Sequence, residues 1–242
     1  MSSIMTQNEA SEEAIATLLD KIEEMAFQDP TAALAELEAA PPELAADPAV
    51  SMARADLTFV VHGPEAARTV LEPLLAQDPD DPDVRHMLGW ICGELGEEER
   101  MVEHFLKVLE LDRAIDGGDA VDRETEDRIV AAAEEALAGL PDPFRSRIAD
   151  VAILVEPRPS QEIVREGFDP RALGLFEGPC DADRQNLEPT TTPTRIVLYS
   201  ANLLADSPDP DTLRLEVQTT VLHEVGHYFG LDEEELDHMG LA

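Results

Sequence analysis

Asp47-Pro48 recurs as Asp81-Pro82, 34 residues further on. A fixed period near that length marks stacked helical hairpins, none of which can bury its apolar face alone. The surrounding texture agrees. Residues 1–116 are rich in Ala, Leu and Glu and poor in β-branched residues, which favours helix. In the unit after Asp81-Pro82, Leu88 and Gly89 fall where one helix must approach its neighbour. Gly96 sits at the turn, and Phe105, Val108 and Leu111 line the second helix. The preceding unit offers Ala55 at the small position, Gly63 at the turn, Ala67, Leu71 and Leu74 along the second helix, and Asp78-Pro79 at its end. A weaker first unit has helices near 12–27 and 31–40. The stretch RAIDGGD (113–119) reads as a hinge, with Asp116-Gly117-Gly118 as the breaker.

By this pattern, DVRHMLGWICGELGEEERMVEHFLKVLELD resembles a tetratricopeptide repeat, and the resemblance extends over roughly residues 12–113. A stack of such hairpins leaves a concave surface, and surfaces of this kind often bind peptides. The resemblance therefore implies a possible protein partner. The plainer expectation is a small helical packing domain without a ligand.

The chain has 242 residues, 53 acids and 17 bases, for a formal charge of −36. The charge is spread evenly: 26 acids and 7 bases in residues 1–117, against 27 and 10 in residues 118–242. It is not an acidic tail. Nucleic acid is excluded as a partner, because binding it needs a basic footprint that releases counterions. The two cysteines, Cys92 and Cys180, make no framework and match no zinc spacing. They read as free buried thiols in a reducing compartment. The opening MSSIMTQNEASEEA has neither a basic nor an apolar segment, so no signal peptide is expected. No apolar run approaches the roughly 20 residues that span a bilayer. A cytoplasmic protein without membrane association is expected.

Residues 120–242 change texture and form a second expected domain, after a helical first domain at 1–116. A helix near 121–139 ends at Gly139 and Pro141. ADVAILVEP (149–157), LGLFEG (173–178) and TRIVLYS (194–200) read as short strands. The loop 179–193 is rich in Pro, Asp and Thr. A last helix is capped by Asp209, with Pro210 in its first turn, and runs to about Phe229. Leu215, Leu222, Val225 and Phe229 form its expected apolar stripe against the sheet. The fold class is α+β: helical hairpin repeats, then a small sheet with helices.

The last helix carries HEVGH. His223 and His227 are four residues apart, so their imidazoles project from one face, as two nitrogen ligands of a tetrahedral zinc require. Glu224 is rotated off that direction and can reach a metal-bound water without binding the metal. This is the H-E-x-x-H arrangement, in which glutamate takes the proton of a water acidified by zinc. Gly226 removes a side chain where the helix packs on the sheet. Gly230 ends the helix in a left-handed turn that sends the chain back toward the metal. In the extended signature a third ligand lies three residues after the glycine, and that position is Glu233. Asp232, Glu234 and, more remotely, His238 remain alternatives. Tyr228 reads as core, although its hydroxyl could face a tetrahedral intermediate. Met239 reads as packing. His62, His86 and His104 have no metal spacing.

Together with RIVLYSANLL (195–204) and GLPDPFRSRIADVAILVEP (139–157), the stretch TVLHEVGHYFGLDEEELDHMG (220–240) resembles the short bacterial zincin-like metallopeptidases. The resemblance covers about residues 121–242. It implies a minimal zincin-like domain, one zinc ion, a peptide or protein substrate, His223 and His227 as ligands and Glu224 as the catalytic base. The family usually has aspartate at the third-ligand position, where this chain has Glu233. In zincins an edge strand above the active-site helix pairs with substrate backbone. Here LGLFEG or TRIVLYS would supply it. The expected activity is that of a zinc metallopeptidase, as an endopeptidase. The competing expectation is a repeat-type protein-binding adaptor whose zincin-like half is metal-stabilised and inactive. The two differ in whether water or a fourth protein ligand completes the metal site.

Overall fold

The computed structural model describes residues 2–115, 121–142, 144–179, 194–232, 235 and 238. Cys180, most of the loop 179–193, the diglycine of the hinge, Glu233, Glu234 and Met239 lie outside the described residues. The chain divides into two compact units, Met1–Asp112 and Arg113–Ala242.

The first unit is helical: α1 (Ser2–Gln28), α2 (Pro30–Glu38), α3 (Pro42–Ala45), α4 (Pro48–His62), α5 (Pro64–Gln77), α6 (Pro82–Glu94) and α7 (Glu98–Ile115). The Asp-Pro punctuation works as a start signal at three of these. Asp29, Asp47 and Asp81 each accept backbone N–H groups at a helix start, with proline in the first turn. Gly63 and Gly96 take positive φ at the turns. Gly89 permits the close approach expected of it: a Cβ there would lie 2.4 Å from Cε1 of Phe105. Two apolar clusters hold the stack, one around Leu34, Leu37 and Val50, the other around Leu71, Leu88 and Ile91. Cys92 is a buried free thiol. His86 packs against Phe105 at 5.8 Å.

The second unit contains α8 (Arg123–Gly139), α9 (Phe144–Arg147), β1 (Ala152–Glu156), α10 (Gln161–Arg165), β2 (Gly174–Glu177), β3 (Arg195–Tyr199), α11 (Ser200–Ala205) and α12 (Pro210–Phe229). The sheet order is β1-β3-β2, with β1 parallel and β2 antiparallel to β3. TRIVLYS is therefore the central strand, and LGLFEG is an edge among the described residues. Ile196 and Leu198 of β3 bury in one cluster with Ile129 of α8 and Val217, Val221 and Val225 of α12. Each such side chain contributes about 1.5–3 kcal/mol on leaving water.

The inward face of α12 differs from the expected stripe. Leu213, Val217, Val221, Glu224, Val225 and Tyr228 are buried. Of the expected row Leu215, Leu222, Val225 and Phe229, only Val225 is fully buried, and Leu215 is 58% exposed. The cause lies outside the helix. α8 and the sheet cover it together, and the arc they cover includes the polar Thr220 and Glu224, which a count of apolar residues passes over.

Candidate metal centre

α12 begins at Asp209, whose carboxylate accepts the N–H groups of Asp211 and Thr212. It ends at Gly230, with φ 83° and ψ 20°, where the N–H of Leu231 closes back on the Gly226 carbonyl at 3.1 Å. That six-residue closure is a Schellman turn, and glycine adopts it without the Cβ penalty. Between these two ends His223 and His227 stand one turn apart. Their Nε2 atoms are 2.9 Å apart and their rings meet edge to face.

The donors fit a metal. Two imidazole nitrogens at about 2.0–2.1 Å from a tetrahedral zinc lie about 3.3 Å from each other. The observed pair needs to open by only a few tenths of an ångström. The carbonyl of Leu231 lies 3.3 Å from His227 Nδ1 and can only accept. It therefore sets the tautomer that leaves Nε2 without its proton in the neutral ring. The Schellman turn thus serves the site, because it brings that carbonyl back over His227.

Glu224 is buried, 6% exposed, while both histidines are partly exposed. One helical step of about 100° separates the two environments. Opposite Glu224 stands Gly174, the first residue of β2. A Cβ at 174 would lie 3.2 Å from Glu224 Oε1, 3.3 Å from its Cγ and 2.7 Å from Thr220 Cγ2. Bare strand backbone therefore abuts the carboxylate. Gly226, the small residue expected on the helix, is buried; the glycine that meets Glu224 lies on the strand. A lone glycine opening an apolar strand was the available signal.

Behind the site the Tyr199 phenol is pushed upward in pKa, first by burial and then by the carboxylates Glu156, Glu177 and Glu224. Tyr228 is 1% exposed and its hydroxyl donates to the Arg147 carbonyl at 3.0 Å, so it belongs to the core as expected. Phe176 packs on it at 5.7 Å.

Among the described residues no group of three or more His, Cys, Asp or Glu converges as a metal site. Glu233 lies outside them. Asp232 is engaged elsewhere: its carboxylate accepts from the Glu235 N–H at 2.9 Å, and the Glu235 carboxylate accepts from the Asp232 N–H at 3.1 Å. This is a reciprocal capping box. His238 is exposed.

A helix-borne histidine pair, a buried glutamate beside it and, among the described residues, an edge strand against that glutamate lie together at one place in the fold. Residues 148–241 match the family described as zincin-like metallopeptidase. This stretch, 94 of the 242 residues, is similar to the zincin-like metallopeptidases, a family that implies zinc and a peptide substrate. No curated protein matches the chain. Among the described residues no helix is long and apolar enough to cross a membrane.

Proposed function

We propose that the second domain, residues 120–242, is a zinc-dependent endopeptidase in which His223, His227 and Glu233 hold one zinc ion. The convergence of the two Nε2 atoms beside buried Glu224 carries this reading. Asp232 is the weaker third ligand because its carboxylate already caps a backbone N–H. Zinc in such a site supplies an acidified water and polarises the scissile carbonyl. Glu224 then accepts the proton of the attacking water and returns it to the leaving amine. Its burial keeps competing solvent from the carboxylate. The edge of β2 that is open among the described residues pairs with extended substrate backbone, which orients the scissile bond across α12. Residues 1–116 form the tetratricopeptide-like unit, whose concave face is the place for a protein partner in the cytoplasm.

The test is a library of peptides from a bacterial proteome, with zinc measured on the same preparations. The wild type should bind one equivalent and cleave. Glu224→Gln should keep the zinc and lose turnover by about 10²–10⁴-fold. Less than about half an equivalent of zinc, or a Gln variant that cleaves as the wild type does, defeats the reading.

A further inference from the structure

We propose that Asn202 is a positioning residue for Glu224, acting through the chain segment 170–174 that it fastens. The proposal rests on Glu224 being the general base.

Asn202 is the third residue of α11 and is 3% exposed. Its amide is used on both sides. The Nδ2 group donates to the carbonyls of Pro170 at 2.9 Å and Ala172 at 2.7 Å. Its Oδ1 accepts from Nη1 of Arg158, itself 6% exposed. Only one orientation of the amide satisfies these neighbours, since carbonyls demand donors and a guanidinium demands an acceptor.

The fastened segment leads directly to the site. Asp169 Oδ1 accepts the Arg171 N–H at 2.7 Å and shapes the turn. The Leu173 carbonyl accepts the Tyr199 N–H at 2.9 Å. Gly174 then opens the ladder with β3, opposite Leu198. Three carbonyls within four residues are thus tied down immediately before the backbone that abuts Glu224. Gly174 has no side chain to absorb a shift, so movement of the segment is passed to the carboxylate or opens a gap beside it. General-base chemistry depends on the position of that carboxylate, whereas substrate pairing along β2 depends on the strand's outer edge. Loss of the clamp therefore lowers kcat more than it raises KM.

The test uses the full chain, zinc-loaded, with the peptides that the wild type cleaves. Asn202→Leu keeps the branching of the side chain but removes the donors to the Pro170 and Ala172 carbonyls and the acceptor of Arg158 Nη1. Its kcat should fall by about 10–100-fold, in line with displacements of about 1 Å or less, with KM within about threefold and one equivalent of zinc retained. Independently of activity, hydrogen exchange at the Tyr199 amide should quicken by about tenfold or more while Val221 in α12 is unchanged. A Leu variant with wild-type kcat, with wild-type exchange at Tyr199, or losing zinc and kcat together overturns the proposal. Should that variant fail to fold, Asn202→Asp decides: it keeps the size and the acceptor for Arg158 but loses the donors to the Pro170 and Ala172 carbonyls, and kcat must fall with zinc retained. If wild type and Glu224→Gln cleave alike, the base assignment fails by itself. Exchange at Tyr199 then decides whether Asn202 fastens the segment.

Discussion

Glu224 and Tyr228 are one turn apart on α12, both buried, and their side chains have different duties. Tyr228 spends its hydroxyl on the Arg147 carbonyl. Tyr228→Phe should therefore cost about 0.5–1.5 kcal/mol of stability and leave turnover unchanged, as checked by urea unfolding beside a peptide assay. A loss of kcat without loss of stability would mean that the hydroxyl serves the reaction. The histidine pair was legible in HEVGH because the i, i+4 geometry belongs to any α-helix. Gly174 and Asn202 were not legible as partners of the site. They lie 50 and 22 residues from Glu224 in sequence, and only the pairing of β2 with β3 and the docking of α11 bring them near.

At the scale of the element, α12 was readable end to end. Asp209, Pro210 and Gly230 act through local hydrogen bonds and local φ preferences, so its limits follow from the residues at its ends. Its buried arc was misjudged because that arc is set by α8 and the sheet. The cap has a pH consequence. Hydrogen bonds from Thr212, backbone first and then hydroxyl, hold the Asp209 carboxyl below its usual range. A folded pKa below the unfolded value of about 3.9 gives stability that is present above that value and is lost as pH falls through the folded one. Asp209→Asn keeps a cap without a titrating group. Its melting temperature should fall less steeply than the wild type's below about pH 4, measured by thermal scans from pH 6 to 2. Equal acid limbs would remove the cap from the account.

For the whole molecule the governing quantity is the charge of −36. Described ion pairs such as Arg214–Glu135 and Arg128–Glu124 are exposed and contribute little. Repulsion among the remaining carboxylates dominates the surface field. Raising salt from low ionic strength to about 0.5 M should thus raise the melting temperature, by about 2–4 °C for each kcal/mol of repulsion relieved. A fall would show that surface pairs hold the fold. Each unit has its own apolar clusters, consistent with the change in texture between the two halves of the sequence. The stretch 113–119 expected as a hinge begins inside α7, which continues to Ile115, and the chain divides at Asp112–Arg113.

By itself the sequence determined the periodic helices, the three strand segments, the caps of α12 and the spacing of His223, Glu224 and His227. Each depends on interactions within a few residues, or on a repeat that local residues print again and again. Tertiary structure alone decided that, among the described strands, TRIVLYS is central and LGLFEG an edge, that Glu224 rather than Leu215 turns inward, and that Asn202 fastens the segment leading to Gly174. These depend on which distant elements meet, and no local preference of a residue encodes its partner across the sheet.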